Sequence, residues 1–165
     1  MFASLTAQAQ NSTCQSCTNS ISTIDSSAYT LNVGDTLCIT AEGTFTGKLT
    51  LNGGVICNSG SFVPDTLFFQ QGKIINFGSI NLNTGLQLGA SCTIENSTEA
   101  AFNISGFLSV NHPTSSFTNE GSLNVLDNVL ASGGSIINNG VINCNHAASN
   151  ANITGTGTIN ETSPN

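Results

Sequence analysis

Hydrophobic and polar residues alternate through most of this chain. The alternation is clearest in three segments that align without gaps: Ile74-Ile75-Asn76-Phe77-Gly78-Ser79-Ile80-Asn81, Phe117-Thr118-Asn119-Glu120-Gly121-Ser122-Leu123-Asn124 and Ile136-Ile137-Asn138-Asn139-Gly140-Val141-Ile142-Asn143. The shared pattern is apolar-x-Asn-x-Gly-x-aliphatic-Asn. Residues two apart on a strand share a face, so Ile74, Asn76, Gly78, Ile80 and Leu82 point one way, and their aliphatic members predict an interior. Weaker copies lie at Leu51-Asn52-Gly53-Gly54-Val55-Ile56, at Ile94-Glu95-Asn96 and at Ile159-Asn160. A second apolar patch follows most copies, at Leu67 to Phe69, Leu86 and Leu88, Val129 and Leu130, and Ile153, so each repeat holds at least two strands.

The asparagines Asn52, Asn76, Asn96, Asn119, Asn138 and Asn160 are 24, 20, 23, 19 and 22 residues apart. A drifting period of this size fits a solenoid, whose turns can differ in loop length while their strands stack; a propeller blade needs roughly twice the length, about 40–50 residues. The expectation is a single-domain, all-β parallel β-helix of about six coils. The crossover rule favours a right-handed coil. In this reading the six asparagines form a structural ladder of stacked amides at a corner, and Gly54, Gly78, Gly121 and Gly140 provide the tight bend. Residues 11–42 are read as an N-terminal cap and first coil, and 43–165 as the repeats, with an open or truncated C-terminal end.

Composition narrows the class further. Charged residues make up 7% of the 165 residues, against about 25% in ordinary domains. Asn, Ser, Thr and Gly take their place, which disfavours helix. The net charge is −7, with Lys48 and Lys73 the only Lys or Arg. Phosphate backbones are bound through Lys and Arg, so nucleic acid is excluded as a partner, as are anionic lipids and polyanionic sugars. The start of the chain ends in Ala7-Gln8-Ala9, a small-x-small pattern of signal-peptide cleavage, so residues 1–10 read as a signal-peptide remnant and the protein as secreted or displayed at the cell surface.

Six cysteines in an exported chain suggest disulfides. Aligning Leu37-Cys38-Ile39 on Ile56-Cys57-Asn58 puts Cys38 and Cys57 in one column of adjacent coils, within disulfide range, and this is the expected bridge. Cys14 and Cys17, in Cys14-Gln15-Ser16-Cys17, are further disulfide candidates near the N-terminus. Cys144 falls in the interior column of Leu82 and Val125 and is read as a buried free thiol.

No catalytic or metal-binding constellation is apparent, and no cofactor is implied. His112 and His146 lack ligand spacing, and the nine acids form no column. The outward column Leu51, Ile75, Glu95, Thr118, Ile137 and Ile159 is apolar in four of six coils and is a possible interface.

The stretch Val33-Gly34-Asp35-Thr36-Leu37-Cys38-Ile39-Thr40, followed by Gly43-Thr44-Phe45-Thr46-Gly47, Leu51 to Gly60 and the later Asn-x-Gly repeats, resembles the β-helical stalks of large adhesin-like surface proteins of Bacteroidetes-type bacteria. The resemblance spans roughly residues 14–160. It implies export by the type IX route, with further domains of the same polypeptide beyond Asn165, and Asp35-Thr36-Leu37 and Asp65-Thr66-Leu67 match the triplet such bacteria O-glycosylate. The function expected is a non-catalytic structural or adhesive module whose ligand is a surface glycan or another protein. An ice- or glycan-binding solenoid is the alternative, and a polysaccharide-degrading β-helix enzyme a more distant one.

Overall fold

In the computed structural model, described for residues 16–148 and 152–163, every regular element is a β-strand. The chain winds through about seven turns, and each full turn lays down three short strands, as Ser116–Asn119, Ser122–Val125 and Asn128–Leu130 do. Equivalent strands of successive turns pair in parallel, building nine-, eight- and four-stranded sheets along the axis. The fold is therefore a parallel β-solenoid, with three strands per turn where sequence patterning required only two. Ile153 belongs to the first face, paired with Ile136, and not to the later apolar patch of its turn.

The first turn already lies within the stretch read as cap and first coil. Asn19–Ile21 pairs with Thr36–Ile39, and Ala28–Asn32 with Lys48–Asn58. Lys48–Asn58 and Thr66–Asn76 are 11-residue strands that run from the third face onto the first without a break. They turn at Gly53 and Gly72, whose φ values of 101° and 120° lie in the left-handed region where a side chain would be strained.

The interior is filled by columns of one residue per turn. On the first face the column is Leu37, Ile56, Ile74, Ile94, Phe117 and Ile136; on the second it is Phe45, Phe62, Ile80, Phe102, Leu123 and Ile142. All twelve are fully buried. The Phe45 and Phe62 rings stack with centroids 5.5 Å apart.

Between these columns stands the asparagine ladder. The side-chain Nδ2 of Asn58 donates to Oδ1 of Asn76, Asn76 to Asn96, Asn96 to Asn119 and Asn119 to Asn138, each at 2.8 Å. The second N–H of each amide reaches a carbonyl at the start of the next turn's second strand: Ser79, Ala101, Ser122, Val141 and Thr158, at 3.0–3.1 Å. These side chains are buried, so the ladder satisfies donors and acceptors that water cannot reach.

Two of the six predicted rungs are elsewhere. Asn52 sits at the bend of its long strand and faces outward, donating to Asn32 and accepting from Gln71; Asn58 takes its place as the first rung. Asn160 lies on the second face, one strand past the corner, and donates to Asn143. In the ladder's own column the residues preceding Asn58 are Ile21 and Ile39. Oδ1 of Asn58 accepts instead from Gly60 N–H at 3.2 Å, so the ladder has a satisfied upper end.

Gly78, Gly121 and Gly140 stand two residues after a rung, but none has a positive φ. Their requirement is steric. A Cβ on Gly78, Gly121 or Gly140 would lie 2.2, 2.4 or 2.1 Å from a carbonyl oxygen of the preceding turn. Gly54 is not in this column; it lies beside the Gly53 bend, where a Cβ would meet Leu31 and Asn32. At Asn96 the corner is two residues longer, with Ser97 to Ala100 between rung and strand where the other corners have two residues, and Glu99 at φ 68°.

Replacing Asn119 with Ala leaves an N–H of Asn96, Oδ1 of Asn138 and the carbonyl of Val141 without their partner. Stranding buried polar groups costs about 1–3 kcal/mol each before relaxation. Denaturant unfolding should show N119A destabilised by ~3 kcal/mol, whereas N160A, on the exposed end of a different stack, should change stability by less than ~0.5 kcal/mol.

Candidate functional site

The last residue of the repeat pattern, the asparagine after the aliphatic, sets up a second stack on the outside of the second face. Asn103 donates to Asn81 at 2.8 Å, Asn124 to Asn103 and Asn143 to Asn124 at 2.7 Å, and Asn160 to Asn143 at 2.8 Å. These amides are partly exposed or at the surface. Their donor direction is opposite to that of the buried ladder: toward the preceding turn and not the following one. Asn81 and Asn124 also donate to the hydroxyls of Ser79 and Ser122. At Asn103 and Asn143 the residue two positions earlier is Ala101 or Val141, and no hydroxyl is available there.

Beyond this stack the chain turns toward the third face, and the corner is hollowed into two shallow troughs that follow the axis. The lower, about 370 Å³, spans four turns from Asn103 to Thr162, with Asn124, Asn143 and Leu126 in its lining. The upper, about 280 Å³, lies between Pro64 to Phe68 and Leu82 to Leu86. The ring of Phe107 lies across Gly85, where a Cβ would approach it to 2.7 Å. Phe68, Phe107 and Leu126 are exposed by 58, 42 and 76%. The repeat pattern contained Asn81, Asn124 and Asn143, and could have yielded this stack. The apolar corner has no periodic signal.

The predicted outward column is only partly assembled. Ile75, Thr118 and Ile137 do share a column, which runs Cys38, Cys57, Ile75, Glu95, Thr118, Ile137 and Thr154. Leu51 is not in it: it points into the core and is fully buried, because the bend at Gly53 separates it from the first face. Ile159 is not in it either, being paired with Ile142 on the second face. The column is no continuous apolar stripe. Ile75 is buried, Glu95 pairs with Lys73 at 2.7 Å, and Ile137 is exposed.

Cys38 and Cys57 are register neighbours, as aligned, yet the bridge is Cys17–Cys38, with Cα atoms 5.6 Å apart. In-register parallel side chains keep the strand spacing of about 4.8 Å at Cβ, wider than the 3.5–4.5 Å a disulfide needs. Cys17, just before the first strand, can approach Cys38 from the side. Cys57 is also disulfide-bonded. Cys14 and the Ala7-Gln8-Ala9 pattern lie outside the described residues. A disulfide is consistent with an extracellular or otherwise oxidising environment.

Cys92 and Cys144 are free and buried. Burial pushes both thiols above their ordinary range, and the carboxylate of Glu161 adds to the effect at Cys144. Glu161 lies next to Cys144 in register, accepts the backbone N–H of Ala147 and faces Nδ1 of His146 at 3.2 Å. Among the described residues no group of three His, Cys, Asp or Glu side chains is placed to hold a metal ion.

Compared with protein-family models, curated proteins and solved structures, the chain finds no match in any of the three.

Because the thiolate is the reactive form and both thiols are buried, Cys92 and Cys144 should resist alkylation in the folded protein at pH 8. Peptide mass mapping should find both labelled once the chain is denatured without reductant; labelling at native-state rates like those of a free peptide would contradict their placement.

Proposed function

We propose that this chain is a non-catalytic, extracellular structural and adhesive module that holds a surface at a fixed distance and in a fixed orientation. The observation that carries the proposal is the unbroken buried ladder from Asn58 to Asn138, which cross-links five successive turns through side chains in addition to backbone pairing. Each turn is thereby bound to the next at its corner, and the exterior becomes a periodic array on a stiff support. The Cys17–Cys38 bond, which closes the first turns, supports an exported location. The repeat motifs support a place on a bacterial cell surface through their resemblance to adhesin stalks. Glu95 and Glu120 line one hollow with Thr118, and Glu95 there is tied to Lys73 in an ion pair, whereas acid–base chemistry needs an acid and a base converging on one point.

Ice binding is the weaker of the alternatives. It would call for regular outward threonine columns, whereas Thr30 and Thr50 are followed in register by Phe68, and Thr118 by Ile137.

Small-angle scattering should return an elongated particle whose stacked turns account for roughly 35 Å of length at about 4.8 Å per turn. Incubation with plant, algal and microbial polysaccharides should release no reducing ends. Sustained release by the purified protein would refute the non-catalytic reading.

A further inference from the structure

From the corner between the second and third faces we infer that this chain binds a neutral polysaccharide, lying lengthwise along the rod. The inference rests on the adhesive half of the function proposed above and names its ligand class.

Three observations converge. The first is shape: two troughs follow one corner from Pro64 to Thr162, so the available surface is long, narrow and axial. An extended polymer can fill such a surface, whereas a compact small molecule would use a fraction of it. The second is the chemistry of the walls. Phe68 lines the upper trough and Leu126 the lower, both exposed, and the half-exposed ring of Phe107 lies across Gly85 of the upper one. The C–H face of a pyranose ring packs on such groups, and its hydroxyls need amide donors and acceptors beside them.

The outer asparagine stack supplies those groups, in a fixed geometry. Each amide nitrogen has two hydrogens. At Asn124 one goes to Asn103 and the other to Ser122. At Asn103 and Asn143 one goes to the preceding rung, and among the described residues no protein acceptor takes the second. Asn81 and Asn160 likewise donate only once, to Ser79 and to Asn143, so a spare donor stands at four of the five rungs, Asn124 being the exception. The oxygens of Asn103 and Asn124 each accept one bond along the stack and keep a second lone pair for a hydroxyl.

The third observation is charge. No cation lines either trough, Asp65 lines the upper one, and the chain carries a net charge of −7. An anionic polysaccharide would be repelled, and a neutral one would not be.

Affinity electrophoresis of the full chain in gels containing soluble β-glucan, xyloglucan, mannan, or alginate as the anionic control tests the inference. At least one neutral polymer should retard the protein, and alginate should not. The double variant F107A/L126D changes only exposed side chains; its unfolding midpoint should stay near that of the parent while retardation weakens about tenfold, as expected from losing one apolar and one ring contact. A second variant, N143A, breaks the stack at a rung with a spare donor and should weaken retardation of the same polymer. Retardation by none of the neutral polymers would overturn the inference, as would retardation that F107A/L126D leaves unchanged. Self-association in sedimentation that the same variant abolishes, without glycan binding, would assign the corner to a second copy and overturn it too. Any of these results would leave the elongated particle and the absence of hydrolysis standing, whereas release of reducing ends would remove the non-catalytic reading itself.

Discussion

A carboxamide has two donors and one oxygen with two lone pairs, and in the core of this solenoid nearly every one of them is used. Each rung from Asn58 to Asn119 donates once to the next rung and once to a backbone carbonyl. Burying so many polar side chains is tolerable only while this matching holds, since an unmatched amide in a dry interior costs as much as a lost hydrophobic side chain. The ladder is thus a constraint as much as a source of stability. It requires the chain to return to the same corner, with the same side chain pointing inward, once per turn.

That requirement determines where the chain can be irregular. Rungs are separated by 18, 20, 23 and 19 residues, so turn length itself is free. Part of the variation is taken up at the corner itself, as after Asn96, where four residues stand in place of two and Glu99 adopts a left-handed conformation. Beside each regular rung the following glycine is pressed against the carbonyl of the turn above, so close stacking and the absence of a side chain go together. The column gives way to isoleucine before Asn58, and after Asn138 the register position falls to Gly155, whose Cβ would lie 2.1 Å from the carbonyl of Asn138.

Much of this was legible in the sequence, and the failures have physical causes. The parallel solenoid, four of the rungs and the buried Cys144 follow from alternation and from the near-identity of three segments. Asn52 was misplaced because a strand that bends through Gly53 without breaking looks, in sequence, like a strand that ends there. Asn160 and Ile159 were misplaced because the final copy begins one face later than the others. The pairing of Cys38 with Cys57 failed on a distinction that register does not capture: neighbours in a parallel ladder have close Cα atoms but side chains that do not converge. The outer stack was present in the motif as its final residue, and the interface reading followed the wrong column. The corner troughs depend on turns of unequal length and leave no periodic trace.

The buried ladder also restricts how this chain can change in length over evolutionary time. Loss or duplication of a segment running from one rung to the next joins an amide to an amide, leaving one donor facing one acceptor and every aliphatic column intact. A segment of the same size cut elsewhere in phase would give the same result. One that removes a rung without its glycine, or the reverse, would put a carbonyl against a side chain. The unit of gain and loss is therefore the whole turn, and a family built on this scheme would be expected to vary in reach by increments of one strand spacing while conserving cross-section.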